Sequence, residues 1–521
     1  MSKRIALLQG LFFLAMGACV TQPSSTSTGS SDDESADQTS TEICSGGRFQ
    51  CRAQWHPSVV AAKRSKKLAP AASGCQGTVC YGADDLAKIY NIDPTLNTGA
   101  TIVLVDAYGY STLESDLAGY RSAYNLPACT SASGCLKIVN QEGQTSPLPS
   151  APPSGDDWTL ETALDVDMAS AACPNCKIVV VQADDDQSDG LYVANQTAAT
   201  LGATVISNSW GGSFDSSEYS TYDSYFDHQG IATFFAAGDA GYDDTDTSSQ
   251  IVVGASKKHG GGGTTTPDYP STSTHVFAVG GTNVAADSSA RGYTETAWSD
   301  GGSSCNPSIP VPSFQSTVVT SAVCAGTSSG AGRAATDLSA VGDPNTGLMI
   351  YSSEYNGLVG PIGGTSAATP LVAGIFAATG NGAATQDIAY QNMTAFYDVL
   401  SGNNNPAGVT CTQEMCNAAA GWDGPTGVGT PNAGALAVIG GAQGSGSGSG
   451  SNQGSGSNQG SDGNGDGNGS GSGSDDGNGD NGDGGNGNGG GGGCSTTGGA
   501  GGATFLFALG LAVAGRRRRR A

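Results

Sequence analysis

The run Gly364-Thr365-Ser366-Ala367-Ala368-Thr369-Pro370-Leu371-Val372-Ala373-Gly374 decides how the rest of the chain is read. It is apolar or small on every side, so it reads as a helix buried all round. Pro370 cannot donate to the helical ladder, which places it in the first turn and Ser366 near the helix N-terminus. There the unpaired N–H groups and the helix dipole favour a developing negative charge. Ser is also a favoured helix cap. The position alone therefore fits a cap or a nucleophile, and the full run is the more specific signal.

Outward from this helix, apolar strand-like runs alternate with helical patterns. Ala100–Asp106, Lys177–Gln182, Ala203–Asn208, Ile231–Ala237 and Val276–Gly280 read as buried strands, and Thr159–Ala172, Gly190–Leu201 and Ser366–Thr379 as helices. This alternation implies an α/β fold with a parallel sheet flanked by helices, in a single catalytic domain over residues 80–442.

A Ser nucleophile needs a base. The chain has four His, at 56, 228, 259 and 275. Only His259 precedes a Gly, and it lies late in the chain, in a Gly-rich loop. A carboxylate base is available in Asp157-Trp-Thr-Leu-Glu161-Thr-Ala-Leu-Asp165-Val-Asp167, read as an amphipathic helix start. Glu161 and Asp165 share one helix face. Two carboxylates in contact share a proton, and one pKa rises. A solvated acidic face is the commoner meaning of such a run. The apolar flank of Leu160, Ala163, Leu164 and Met168 weighs against it. A third element, Phe234-Phe-Ala-Ala-Gly238-Asp239-Ala-Gly241, is an apolar strand ending in an Asp turn. A protonated Asp239 is able to donate to an oxyanion.

The eleven-residue run resembles the nucleophile segment of subtilisin-like and sedolisin (serine-carboxyl) peptidases. The segments around Glu161/Asp165, Asp239 and Ser366 stand in sedolisin order. Asn208-Ser-Trp-Gly-Gly212, Ala278-Val-Gly-Gly-Thr282, Asp343-Pro-Asn-Thr-Gly347, Phe396–Asn403 and Gly421–Gly427 also resemble that family. The resemblance covers about Tyr81 to Ala442. It implies a subtilisin-like α/β fold and acid-side hydrolysis of peptide bonds in protein or peptide substrates. Ser366 is then the nucleophile, Glu161 the base, Asp165 its orienter and Asp239 the oxyanion donor. It also implies one structural Ca²⁺, held by the Asp398 and Asp423 carboxylates and the carbonyls of Val399, Ala419 and Gly421. Oxygen-only ligation suits that ion. The family usually has Gly where Ala419 stands. Two departures are a short stretch before the core and an insertion over Asp243–Asp268, read as a surface loop. A His-based hydrolase using His259 and Asp106, or an inactive peptidase fold serving as an adhesin, are the alternatives.

Composition and the chain ends set the context. The chain has 521 residues, 21 basic and 46 acidic, for a net charge of −25. Residues 80–442 carry 35 acidic and 8 basic residues, so the acidity belongs to the catalytic part. Such a charge excludes nucleic-acid binding. Twelve of the 14 Cys fall in six close pairs, which read as small-loop disulfides in an oxidising compartment. Residues 1–19 read as a secretory signal, with a lipobox-like end at Cys19. Residues 20–79 read as a spacer or short propeptide. Residues 443–493, made only of Gly, Ser, Asn, Asp and Gln, read as a disordered linker. Residues 494–521 hold a Cys, a hydrophobic stretch and five Arg, and resemble a MYXO-CTERM sorting tail. Together these predict a monomer that is extracellular or on the cell surface, touching the membrane through its terminal segments.

Overall fold

The computed structural model describes residues 40–44, 46–59, 75, 79–96, 98–243, 266–328, 330–405 and 410–441. The signal, the linker, the tail and most of the 243–268 insertion, including His259, lie outside the described residues. All six nearest-neighbour Cys pairs form disulfides, including Cys173–Cys176.

The strands needed here are β1 (Gln50–Cys51), β2 (Gln54–Trp55), β3 (Thr101–Ala107), β4 (Leu136–Asn140), β5 (Lys177–Ala183), β6 (Val205–Asn208), β7 (Trp210–Ser213), β8 (Ala232–Ala236), β9 (Phe277–Ala286), β10 (Tyr293–Ala297), β11 (Leu338–Val341) and β12 (Gly357–Gly363). The helices are α1 (Trp158–Ala172), α2 (Gly190–Thr200) and α3 (Thr365–Ala378). The central sheet runs β4-β5-β3-β6-β8-β9, all parallel, and β11 adds to β9 in parallel. An antiparallel β10 lies along the far part of β9. The architecture is subtilisin-like: a parallel sheet flanked by helices, in one domain.

The strands are buried on both faces, which is why they read as continuous Val/Ile runs rather than alternating ones. α3 has no exposed residue, as its composition predicts. Its Phe376 ring packs 5.1 Å from Phe234 and 5.3 Å from Phe277, joining the helix to β8 and β9. Such a side chain contributes about 1.5–3 kcal/mol by burial. α1 packs on α3 through small residues: a Cβ on Gly374 would lie 2.5 Å from the Ala172 Cβ.

Two local expectations change. Pro370 is the sixth residue of α3, in its second turn rather than its first. Its ring removes the N–H that would have bonded the Ser366 carbonyl, and the Ser209 hydroxyl lies 3.4 Å from that carbonyl. α1 is not amphipathic. Every residue from Leu160 to Ala172 is buried, carboxylates included. Asp167 points away from Glu161 and accepts the Tyr351 N–H at 2.8 Å.

The order of the sheet reverses beside β3, and ligand crevices of open α/β sheets lie at the carboxyl ends of strands near such a point. Asp106 is the next-to-last residue of β3, Ser209 follows β6 and Asp239 follows β8.

Candidate active site

Ser366 is the second residue of α3, fully buried. Its position follows from Gly364, whose φ of +107° suits Gly. A Cβ there would also lie 2.7 Å from Asp239 Oδ2 and 2.0 Å from the Arg52 carbonyl oxygen. The turn before the nucleophile is thus packed from above by both groups. The Ser366 N–H donates to the Arg52 carbonyl at 2.8 Å. The Ser366 hydroxyl donates to the Ser209 carbonyl at 3.2 Å.

Glu161, on α1, lies near this hydroxyl. Neither of its oxygens has a hydrogen-bond partner among the described residues. The nearby Ser366 hydroxyl favours its ionised form, but burial dominates and, with Asp106 and Asp239, pushes its pKa well above the usual carboxylate range. Asp165 lies one turn further along α1 and accepts the Ser209 hydroxyl at 2.7 Å. Burial, then repulsion from Asp106 and Glu161, raises its pKa strongly. Asp106 completes the group. Both its oxygens are buried without a hydrogen-bond partner among the described residues, and burial raises its pKa to about 7. Three carboxyls in low dielectric cannot all ionise, so the cluster holds protons.

Asp239 comes from the turn after β8. Its Oδ1 accepts the Thr365 N–H at 2.7 Å and the Thr365 hydroxyl at 2.9 Å. These two donors fix the carboxyl over the turn that carries Ser366. The structure therefore brings Glu161, Asp165, Asp239 and Ser366 to one site. It adds Ser209 and Thr365, which the sequence reading did not place there, and Asp106, which that reading offered only as the orienter of a His base. For Asp106 a signal existed: a charged residue closing a wholly apolar strand. The described His lie elsewhere. His56 contacts Ser58 at 2.7 Å, His275 pairs with Asp223 at 3.3 Å, and His228 sits beside Asp227 and His275.

The second predicted site lies in the loops around Asp398 and Asp423. Asp423 is buried, and Asp398 is exposed. Asp423 accepts the Ala419 N–H at 2.9 Å, and its other oxygen accepts the Thr426 N–H at 2.9 Å and hydroxyl at 2.8 Å. Asp398 accepts the Gly421 N–H at 3.0 Å. Burial raises the Asp423 pKa to about 7 against these hydrogen bonds, with Asp398 adding repulsion. The two carboxylates converge on one loop, and among the described residues neither has an ion-pair partner. Val399 is buried beside Asp398. The donor set is all oxygen and carries two negative charges, which fits Ca²⁺.

The fold is of the subtilisin-like class, and it brings a buried Ser together with a cluster of carboxyls. Residues 159–395 match the family described as "Subtilase family". Kumamolisin of Bacillus sp. (strain MN-32) is 30% identical over 390 residues, 71% of this chain and 63% of its own. Sedolisin of Pseudomonas sp. (strain 101) is 32% identical over 181 residues, 31% of this chain and 28% of its own. The chain thus spans less than two thirds of the length of either relative. Among solved structures, Pseudomonas sedolisin, a serine-carboxyl proteinase complexed with two molecules of pseudo-iodotyrostatin, superposes with a TM-score of 0.56. It is 24% identical, and the match covers 70% of this chain and 98% of that one.

Proposed function

We propose that this chain is a sedolisin-family serine-carboxyl peptidase, an endopeptidase acting on proteins or peptides at acid pH. The observation that carries the reading is the buried Glu161–Asp165–Asp106 carboxyl cluster facing a Ser at the start of a buried helix. Ser366 Oγ attacks the scissile carbonyl carbon while Glu161 takes its proton, which later passes to the leaving amine. Asp165 holds Glu161 in place and shares its proton. The Ser366 N–H and a protonated Asp239 donate to the developing oxyanion. Rate then rises as Glu161 ionises and falls as Asp239 loses its proton, giving a bell-shaped profile.

Ca²⁺ would be held by Asp398, Asp423 and the carbonyls of Val399, Ala419 and Gly421. When bound, it neutralises the two carboxylates and ties the 398 and 419–423 loops together. Secretion, display on the cell surface through the terminal segments and a monomeric state complete the proposal.

The test is hydrolysis of a denatured protein across about pH 3 to 7. Turnover lost in Ser366→Ala, and kept when each His is replaced in turn, supports a carboxylate base. Full activity in Ser366→Ala rejects the assignment.

A further inference from the structure

Strand β7 leads from the candidate active site to a pair of acids. Residues 268–269 pair with one of its edges and β1 with the other, with Gln50 opposite Gly211 and Cys51 opposite Trp210. The Arg52 carbonyl accepts the Ser366 N–H at 2.8 Å, so the chain along this edge runs back from the nucleophile in a fixed register. Counted from Arg52 as the first residue, Phe49 is the fourth and Arg48 the fifth. The Phe49 N–H donates to the Asp186 carbonyl at 3.0 Å, which holds the chain where the fifth residue leaves the strand. Gly212 admits that residue closely, since a Cβ there would lie 3.1 Å from the Arg48 carbonyl oxygen.

The two acids at this fifth position are Asp189, which precedes α2, and Glu218, in the short helix Ser216–Tyr222. Each has one oxygen held by a tyrosine of the domain. The Tyr222 hydroxyl donates to Asp189 Oδ2 at 2.6 Å, and the Tyr192 hydroxyl to Glu218 Oε2 at 3.0 Å. The two rings stack with centroids 4.5 Å apart. The other oxygen of each acid takes the same guanidinium. Arg48 Nη1 donates to Asp189 Oδ1 at 2.7 Å, and its Nε and Nη2 donate to Glu218 Oε1 at 2.9 and 2.6 Å. All three guanidinium nitrogens are used, and the group lies 5.8 Å from the Tyr192 ring centroid. A Lys ammonium is a point charge and cannot meet this planar fork. Neither acid is tied up in capping. Asp215 caps the helix that carries Glu218, and the Asp189 side chain makes no cap bond to α2. The two acid side chains are 48% and 22% exposed, so an incoming side chain can reach them from solvent. The hydrogen bonds from Tyr222 and Arg48 hold the Asp189 pKa below its ordinary value, which keeps the acid charged on the acid side.

We infer that Asp189 and Glu218 form a substrate subsite for an arginine side chain, at the fifth residue before the bond that is cut, and that Arg48 is the occupant of this subsite in the present chain. This inference rests on the serine-peptidase reading and deepens it. The subsite adds a side-chain preference far from the reacting atoms, where a contact raises kcat/KM through binding. It also lies beyond the third residue. A substrate that uses it extends at least five residues on the acyl side, so the subsite favours internal bonds over removal of a tripeptide.

The test is run under the conditions in which the chain hydrolyses denatured protein. Denatured proteins of mixed sequence are digested, and the bonds cut are read by mass spectrometry. Arg is expected at the fifth position about threefold more often than Lys or Gln, and Asp189→Asn with Glu218→Gln is expected to remove the enrichment. No enrichment at that position overturns the inference and leaves the peptidase reading standing. Equal enrichment of Arg and Lys overturns the guanidinium subsite, because general attraction to an acidic surface gives that result. No cut in any protein overturns the peptidase reading as well. A second measurement uses peptides identical except for Arg, Lys or Gln at the fifth position, and one that stops at the fourth. The Arg peptide is expected to have a kcat/KM about fivefold above the others, and the ratio should fall to about one in the double variant. Equal turnover of all four peptides by the wild type overturns the inference even where the variant does not fold.

Discussion

Two groups of acid in this molecule, one wholly buried and one half in solvent, meet different fates. At Glu161, Asp165 and Asp106, five of the six carboxyl oxygens have no hydrogen-bond partner among the described residues. At Asp398 and Asp423, the carboxyls are bound by the N–H groups of Ala419, Gly421 and Thr426. Asp106 and Asp423 both have pKa values raised to about 7, so burial alone does not separate the groups. The donors around them do. Carboxyls without donors answer burial by holding protons, and such a cluster is suited to giving and taking one. Carboxyls already fixed by backbone N–H groups, with one of the pair in solvent, are suited to a cation. The comparison teaches that an acid's role is set by what donates to it, not by how deep it lies.

The largest expected effect breaks the comparison at its catalytic side. Glu161→Gln keeps the shape of the side chain but cannot take the Ser366 proton. A fall in kcat of about 10³- to 10⁴-fold is expected, with little change in thermal midpoint. Steady-state assays at acid pH, beside calorimetry, check it. A variant retaining more than a tenth of wild-type kcat would remove Glu161 from the base role.

Asp423→Asn is expected to do the reverse, lowering stability with only a secondary effect on kcat. For the wild type, Ca²⁺ at a hundredfold excess over its Kd should add about 2.7 kcal/mol of stability. Calorimetry with and without a chelator reads this directly. The variant should lose most of the response. A wild-type midpoint that Ca²⁺ does not move would show that the loop does not bind the ion.

Much of this was legible in the chain before any coordinates. α3 could be found because apolar and small residues dominate the run after Gly364-Thr365-Ser366, and the i, i+4 spacing put Glu161 and Asp165 on one face of α1. Three features were not legible. Pro370 sits a turn deeper than its own chemistry suggests, in a helix whose buried start is packed by segments distant in sequence. Asp106 was considered only as the orienter of a His, since its approach to Glu161 depends on how β3 and α1 pack. Residues 40–59 read as part of a polar spacer because strands of two residues carry no period. Their pairing partners, β7 and β12, lie more than 150 residues away.

The smallest effect concerns Asp106 and sharpens what the cluster stores. Its carboxyl releases a proton near pH 4 when the chain is unfolded, but at about 7 when folded. Between these values the folded state binds the extra proton. Stability is therefore fullest below about pH 4 and falls as pH rises through the window, at up to about 1.4 kcal/mol per pH unit for one proton. Glu161 and Asp165 shift in the same direction for the same reason and add to the slope. Asp106→Asn carries no titrating group, so its stability should decline less steeply between about pH 4 and 7. Denaturant unfolding in a Ser366→Ala background measures the slope without self-digestion. An unchanged slope would mean that Asp106 is ionised in the fold and that the proton is held by Glu161 and Asp165 alone. A shallower slope would mean that the proton store reaches from the helix α1 pair to the end of β3.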